Sequence, residues 1–407
     1  MIVTGGQGWG CPYWCISVSQ NQISVSSAHR FGLIYDWVIV AVRYSYLAQQ
    51  FGDCPELWEK LQEFVATGDF TLGKPLAEFE QAFAQLIGSK FAIGVNSGTD
   101  AIKLSLRALG VKPGDEVITA ANTFVATVGA IAEIGAVPVF VDCNENFCMD
   151  VALIESAITA KTKAIVPVHF TGYMTHMDKV LELADKYNLV VVEDACQSIL
   201  ASYKGKNAGT WGRTGAFSLH PLKNINVWSD GGIIVTDDQE LYDHLRLLRN
   251  HGLSDRDHVD LLGYNSRLDT FQAVVGNWLL PQAKEISDKR ISNAKYLDSK
   301  LSEIKEITIP NRPGDMRVVY HLYSIFAECR DELLDYCVSQ GIEAKVHYPI
   351  PIYKQKALKE VSGSLTFPVA DELAAKSISF PCDQHLSSAQ LDEIVFTVSN
   401  FYEKRLS

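Results

Sequence analysis

From residue 56 onwards, hydrophobic positions recur at the three- and four-residue spacing that places side chains on one face of an α-helix. The repeating positions are Leu57, Leu61, Phe64, Leu76, Phe79, Phe83 and Leu86. Helix-length segments then alternate with short β-branched and aromatic runs, which predict strands at 91–95, 117–119, 137–141, 164–168 and 189–193. This alternation is typical of a mainly parallel sheet with helices on both faces.

Two further strands, predicted at 215–219 and 232–236, are too close together to enclose a helix, which indicates a change of strand order or direction. Helical spacing returns from residue 239 to about 304. A different pattern follows, with a strand, a helix, a strand and a last helix predicted at 318–327, 330–340, 342–347 and from Ser387 onwards. We therefore expect an α/β fold with a large domain at 42–285 and a smaller C-terminal α+β domain at 286–407.

The first 41 residues differ in composition from the rest of the chain. Their charged residues are Arg30 and Asp36, and Ser, Gly, Gln and Trp are frequent. Their glycines, at positions 5, 6, 8 and 10, do not form the G-x-G-x-x-G turn before a helix that marks a dinucleotide site. We treat residues 1–41 as an atypical N-terminal extension and assign them no function.

Composition excludes several classes of protein. With 47% hydrophobic and 21% charged residues, the 407-residue chain is expected to fold, and its net charge of −12 argues against a general nucleic-acid binder. The best apolar run, 31–42, is shorter than the roughly 20 residues of a membrane span. No basic residue precedes Arg30, so we expect no secretory signal and a cytoplasmic location. The nine cysteines lack metal-ligand spacing and are expected to be reduced thiols, with no metal site.

Candidate chemistry lies in three turns that follow predicted strands, where ligands of open α/β sheets bind. The first turn, Asn-Ser-Gly-Thr-Asp-Ala at 96–101, precedes a predicted helix. Its small residues let backbone N–H groups approach an anion at the positive end of the helix dipole. Ser97 and Thr99 suit ordinary N-capping equally well, and the sequence leaves both interpretations open.

The other two turns carry ionisable side chains. The predicted strand at 189–193 ends in Glu193, and Asp194 follows it. A carboxylate there suits a protonated ring nitrogen, and a solvated turn residue or a helix cap is the alternative. Lys223 lies in the loop between the two closely spaced strands. A desolvated lysine becomes a usable amine nucleophile, although a lone lysine is more often a surface residue.

Together these turns offer an anion cradle, a carboxylate for a pyridinium nitrogen and an amine for a Schiff base, which are the protein-side requirements of pyridoxal phosphate. From Tyr44 to the C-terminus the chain resembles the DegT/DnrJ/EryC1/StrS family of sugar aminotransferases, which use this cofactor. The resemblance is carried by the ordered motifs NSGTDAI, TFVAT, VEDACQ, GAFSLHPLKN, DGGIIVT, NHG, GYNSRLDTFQA and VHYPIP. It implies a fold-type I, aspartate-aminotransferase-like architecture.

The resemblance also implies roles around the cofactor ring. Lys223 would form the Schiff base and then shuttle a proton, and Asp194 would keep the pyridine nitrogen protonated. Gln197 matches the residue that contacts the phenolic oxygen, and Phe124 matches the aromatic that stacks on the ring. His220, beside the lysine, suits either a substrate contact or a packing role.

Phosphate ligands follow from the same resemblance. Gly98, Thr99 and Ser218 match the phosphate cup of the family. Asn265 matches a phosphate ligand that the neighbouring subunit donates, which predicts an obligate homodimer with its active sites at the interface.

The chain departs from the family's usual pattern at residues 1–41, at Ser198-Ile199, where many members have a His, and at Asp230, where many have Glu. The resemblance implies amination at C3 of the sugar over C4, because the Asp-Gly-Gly form is commoner among members that aminate C3 and the Glu-Gly-Gly form among those that aminate C4. Arg267, Lys74 and His347 are candidate cations for the substrate diphosphate, and each suits a plain surface role as well.

The expected reaction is transfer of an amino group from L-glutamate to a nucleotide-linked keto-deoxysugar, with a 3-keto-6-deoxyhexose favoured. A 4-keto sugar is the alternative substrate. A non-catalytic regulator is the alternative from another class, although Lys223 and Asp194 are both retained. Sugar deoxygenation is disfavoured, because relatives that perform it replace the lysine with His.

Overall fold

A computed structural model describes residues 42–406. The sheets of the fold consist of short strands. These strands are β1 (Phe91–Val95), β2 (Glu116–Ala120), β3 (Val137–Val141), β4 (Thr162–Val166), β5 (Val190–Asp194), β6 (Ser202–Tyr203), β7 (Lys206–Asn207), β8 (Thr214–Ser218), β9 (Gly232–Thr236), β10 (Ile307–Thr308), β11 (Met316–Arg317), β12 (Tyr323–Ala327) and β13 (Ser377–Phe380). Each predicted strand before residue 240 is therefore present, with ends shifted by at most two residues.

Helices alternate with these strands as the spacing of hydrophobic residues predicts. They are α1 (Leu47–Gly52), α2 (Pro55–Thr67), α3 (Lys74–Ile87), α4 (Gly98–Ala108), α5 (Val125–Glu133), α6 (Met177–Tyr187), α7 (Gln239–Leu248), α8 (Thr270–Leu279), α9 (Ala283–Leu301), α10 (Arg330–Ser339), α11 (Lys359–Ser362), α12 (Pro368–Lys376) and α13 (Ser388–Leu406). None of them combines the length and the apolarity needed to cross a bilayer. The cysteines within residues 42–406 are free thiols, as expected.

Seven strands form the main sheet, in the order β1-β9-β8-β5-β4-β2-β3. Neighbours from β8 to β3 run parallel, whereas β9 is antiparallel to both β1 and β8. The predicted change of direction is thus confirmed, and β9 is the strand that reverses. The carboxyl ends of the other six strands therefore meet at one edge of the sheet.

The C-terminal region forms a smaller three-stranded antiparallel sheet, β10-β12-β13. The prediction of a continuous strand at 318–327 is wrong in its first half, because Tyr320 has a φ of 47° and the strand begins at Tyr323. The predicted strand at 342–347 is also absent. There the N–H of Ala344 donates to the carbonyl of Ile342 at 2.8 Å, which bends the chain and leaves isolated bridges in place of a ladder.

Two hydrophobic cores meet along α9. Ala283 and Ile286 at its start pack in the core of the main sheet. Leu297 and Leu301 further along pack with the small sheet and α13. The expected domain boundary at residue 286 falls inside this helix and stays a prediction, and the extension at 1–41 lies outside the described residues.

Aromatic packing joins α3 to the sheet and to α8. Phe79 and Phe83 are fully buried, with ring centroids 6.0 Å apart, and Phe83 lies 5.3 Å from Phe217 of β8. A Cβ on Gly276 would lie 2.6 Å from the Phe79 ring, so α8 approaches α3 as closely as the backbone allows. Phe79, Phe83 and Phe217 all belong to the first core.

We expect Phe79→Ala to lower the free energy of unfolding by about 3–5 kcal/mol, because it removes a fully buried ring from a close-packed site. Phe396→Ala, on an α13 side chain that is 61% exposed, should change it by less than about 0.5 kcal/mol. Urea denaturation of the two variants measures the difference. Equal effects would contradict the assignment of the core.

Candidate active site

A cavity of about 280 Å³ opens at the carboxyl edge of the main sheet. It brings together the residues after β1, β2, β5 and β8, as expected for an open α/β sheet. Seven of the eight predicted cofactor-site residues line this cavity, namely Gly98, Thr99, Phe124, Asp194, Gln197, Ser218 and Lys223. Residues far apart in the sequence therefore form one site.

The first turn combines the two interpretations that the sequence leaves open. Ser97 caps α4 by accepting a hydrogen bond from the N–H of Asp100 at 3.1 Å, while Gly98 and Thr99 line the cavity. Where this turn packs against β8 and β9, neither Gly98 nor Gly232 leaves space for a side chain. A Cβ on Gly98 would lie 2.8 Å from the Ser218 Cβ, and one on Gly232 would lie 2.2 Å from the Ser97 carbonyl oxygen. The positive end of α4 is thus held against the cavity.

The two carboxylates at the end of β5 have different surroundings. Asp194 lines the cavity, where its Oδ2 accepts a hydrogen bond from the Thr127 hydroxyl at 2.7 Å and its Oδ1 accepts one from the N–H of Cys196 at 3.2 Å. The Thr127 hydroxyl is itself 2.8 Å from that of Thr123. Both Asp194 oxygens are therefore fixed in orientation.

Glu193 is fully buried and belongs to the supporting structure. Its carboxylate accepts hydrogen bonds from the N–H groups of Gly209, Trp211 and Gly212 at 2.6–2.8 Å. His169 Nε2 lies 2.9 Å from the same carboxylate, and His169 Nδ1 accepts from the N–H of Thr175. Because Nδ1 accepts, Nε2 carries the proton and donates it to Glu193.

Lys223 lies in the loop between β8 and β9, half-buried in the cavity wall. Burial lowers the pKa of its amine, and the nearby Cys196 and Asp194 partly oppose that shift. Asn224 holds the loop in place by donating to the Val319 carbonyl at 3.2 Å. A positioned amine with reduced proton affinity is what a nucleophilic lysine requires.

The remaining cavity residues are held by their own contacts. Gln197 accepts a hydrogen bond from the N–H of Thr171 at 2.8 Å, and Phe124 is 48% exposed, with its ring 5.7 Å from that of Tyr348. Burial lowers the pKa of His220 on the same wall. Ser198, one of the departures from the family pattern, is buried and donates to the His169 carbonyl, so it supports the wall from behind.

Three of the residues singled out in the sequence lie away from this cavity. Asn265 is exposed and lines a separate recess together with Arg267, which donates to Asn250 at 2.8 Å. Lys74 is exposed at the start of α3 and pairs with Glu78 at 3.4 Å. Within one chain, neither of these cations reaches the seven clustered residues.

His347, the third candidate cation, does line the cavity, but it is held neutral. Its Nδ1 lies 3.0 Å from the Ser379 hydroxyl, and burial, aided by nearby Lys345, lowers its pKa to about 4. At neutral pH it carries no charge for a substrate anion. Hydrogen bonding is the interaction it offers.

Sequence reasoning missed cavity residues from the second half of the chain, from α1 and from the segment before α1. They are Tyr44, Gln50, Arg290, His321, Lys345, Tyr348, Asp383 and Gln384. They come from turns, helix interiors and a bent segment, where no spacing rule marks a site. The Tyr-Pro of VHYPIP is the one signal that pointed to this wall.

Comparisons with known proteins agree with this architecture. The DegT/DnrJ/EryC1/StrS aminotransferase family profile matches residues 54–399. A dTDP-3-amino-3,4,6-trideoxy-alpha-D-glucose transaminase from Streptomyces venezuelae is 37% identical, over 83% of this chain and 90% of its own. A pleiotropic regulatory protein from Geobacillus stearothermophilus is 38% identical, over 86% and 95%. The crystal structure of S. venezuelae DesV with a ketimine intermediate superimposes with a TM-score of 0.86 at 35% identity, covering 88% and 98%.

The chain belongs to the DegT/DnrJ/EryC1/StrS aminotransferase family. It is an aminotransferase with the fold of the enzymes that use pyridoxal phosphate, and that compound is its cofactor. The residues present fit the group. A Cβ-free cradle at Gly98 beside a helix N-terminus suits a phosphate, and a carboxylate with fixed orientation and an amine of lowered pKa line the same cavity.

The lowered pKa of His347 predicts a pH effect on stability. In the unfolded chain this histidine has its ordinary pKa of about 6.5, whereas in the folded chain its pKa is about 4. Its contribution is therefore present at pH 7 and is lost as the pH falls. We expect the urea midpoint to drop more steeply between pH 7 and pH 5 for the native protein than for His347→Asn. Parallel curves would show that His347 is not held neutral.

Proposed function

We propose that this enzyme transfers an amino group from L-glutamate to C3 of a nucleotide-linked keto-deoxysugar. The observation that carries the proposal is a lysine of lowered pKa in the same cavity as a carboxylate of fixed orientation. The similar S. venezuelae protein is named as a transaminase of a dTDP-linked 3-amino sugar, which supports the substrate class and the C3 position. A cytoplasmic location is part of the proposal.

Lys223 is assigned the covalent and proton-transfer role. When bound, pyridoxal phosphate supplies an electrophilic carbon and a conjugated ring that accepts an electron pair. Desolvation leaves a larger fraction of the Lys223 amine unprotonated and nucleophilic at neutral pH. Once displaced by a substrate amine, the same group is placed to take up and return a proton as a general base and acid.

Asp194 is assigned to hold a proton on the pyridine nitrogen. A carboxylate stabilises the charged ring nitrogen because opposite charges in a partly desolvated site attract strongly. The Thr127 hydroxyl and the Cys196 N–H each donate a hydrogen bond to a different oxygen of Asp194, which holds the carboxylate in one orientation. Thr127 is in this account a positioning residue.

The other cavity residues are assigned to bind and orient the cofactor. Gly98, Thr99 and Ser218 form the phosphate cup at the start of α4, where the helix dipole favours an anion. Gln197 contacts the phenolic oxygen, and the exposed face of Phe124 stacks on the ring. Cavity residues from the second half of the chain, among them His347 and Gln384, are assigned to face the substrates.

We propose a homodimer in which Asn265 completes the partner's phosphate site. Its position in a recess outside the cavity of its own chain fits a ligand that acts on a neighbouring subunit. Exposed apolar side chains line this recess, namely Phe70 at 53% and Leu72 at 38% exposure. Apolar patches of this kind are typical of protein interfaces.

Amination at C3 also draws on Asp230. Asp230 lines the cavity, and its backbone carbonyl accepts a hydrogen bond from the Gln272 side-chain amide at 2.6 Å, which fixes the Asp-Gly-Gly turn. The turn favours C3 through the family resemblance. A 4-keto sugar is the alternative acceptor, and a regulatory role is the second candidate function, because the G. stearothermophilus relative is named as a regulatory protein.

A visible spectrum tests the reaction. Purified protein loaded with pyridoxal phosphate should show the band of the lysine-bound cofactor, L-glutamate should convert it to the pyridoxamine form, and one member of a panel of 3-keto and 4-keto nucleotide sugars should restore it. Lys223→Ala should lack the band and lose turnover, because Lys223 is the cavity amine whose pKa burial lowers, and it is assigned as both nucleophile and base. A band that no keto sugar restores would overturn the acceptor, and failure to load at all would favour the regulator.

Subunit complementation tests the homodimer. We expect a purified heterodimer of one Lys223→Ala and one Asn265→Asp subunit to retain about half of the wild-type activity, because one site keeps both residues when Asn265 acts across the interface. The matched control pairs a wild-type subunit with the double variant, which should be nearly inactive. The reverse pattern would place Asn265 in its own subunit's site.

A further inference from the structure

Several cationic or titratable side chains line the cavity, and most are committed or uncharged. Lys223 is committed to the cofactor. Arg290 donates to the backbone carbonyls of Tyr320 and His321 at 2.9 Å each and lies 3.7 Å from Asp383. Its charge is therefore used within the wall.

Burial favours the neutral form of the histidines of this wall. Burial lowers the pKa of His220, His321 and His347 below the ordinary value. A substrate anion that enters the cavity therefore meets little positive charge from them. The remaining cation is Lys345.

Lys345 is exposed at the rim and has no carboxylate within ion-pair distance among residues 42–406. Its Nζ lies 4.7 Å from the centroid of the Tyr44 ring. Its backbone is anchored to β13 by two hydrogen bonds with Ser379, of 2.9 and 2.7 Å. The ammonium group is thus held at the cavity mouth by an aromatic face, with its three N–H donors open to a ligand.

The nearest acid on the same segment is already engaged. Glu343 accepts a hydrogen bond from the N–H of Tyr44 at 2.6 Å, and this contact fixes the Tyr44 backbone beneath Lys345. Glu343 therefore fixes the position of Tyr44, and the Tyr44 ring in turn holds the Lys345 ammonium group. An unpaired cation kept in one position at the mouth of a substrate cavity is suited to bind an anion.

We propose that Lys345 binds an anionic group of a substrate at the mouth of the cavity. The inference rests on the proposed function, whose two substrates both carry such groups, a diphosphate on the nucleotide sugar and carboxylates on glutamate. Lys345 would determine substrate binding and take no part in proton transfer. Lys345 therefore takes the anion-binding role for which the sequence suggested Lys74 and His347. Lys74 is exposed and paired with Glu78, and His347 is uncharged at neutral pH.

Lys345→Met removes the charge and keeps the length of the side chain. Lys356→Met is the matched control, because it changes net charge equally at an exposed position outside the cavity. Lys345→Arg should restore binding. The holoenzymes are compared in two measurements, namely glutamate saturation of the spectral conversion and inhibition of that conversion by dTDP, by inorganic pyrophosphate and by thymidine.

If Lys345 binds the diphosphate, Lys345→Met should weaken dTDP and pyrophosphate roughly tenfold, as expected for one charge-assisted hydrogen bond, and leave thymidine and glutamate unchanged. If it binds a carboxylate, glutamate saturation alone should weaken by a similar factor. Unchanged values in both measurements, or equal losses in Lys356→Met, would overturn the inference. A wild-type enzyme that responds to glutamate but to no nucleotide sugar would overturn the proposed acceptor instead, and Lys345 would then be judged on glutamate.

Discussion

The buried carboxylate of Glu193 is the interaction on which the active-site geometry depends. It accepts hydrogen bonds from N–H groups of the loop at 209–212 and from His169 Nε2, so it joins the end of β5 to the segment before β8 and to the turn after β4. Removing a buried charge's partners is costly, because an unpaired carboxylate in a protein interior is poorly solvated. Asp194, one residue further along the strand, inherits its position from this network.

Strand alternation explains why two adjacent carboxylates have separate tasks. Successive side chains of a strand point to opposite sides, so Glu193 turns into the protein where Asp194 turns toward the cavity. Adjacent residues also have different roles at the first turn, where Ser97 caps α4 and its neighbours Gly98 and Thr99 face the cavity. Structural and chemical tasks are thus divided between neighbouring residues.

The sequence predicts the parts of the molecule that follow a regular period or a motif. The strands and helices of the main sheet, the reversal at β9 and the clustering of Lys223, Asp194 and Gly98 all depend on such patterns. The strand expected at 342–347 fails because a tight turn at Ala344 competes with the β-branched pattern. Lys345 was missed for the related reason that only the folded chain shows a lysine to lack an acidic partner.

The passage of α9 through two hydrophobic cores has a consequence for how the protein opens. Because Ala283 and Leu297 belong to one continuous helix, neither core is able to lose its packing without exposing part of the other. Amide hydrogen exchange should therefore protect the helix as a single cooperative segment. Arg290 is midway along it, so the carbonyls it binds near the cavity lie beside the part of the helix that is furthest from its fraying ends.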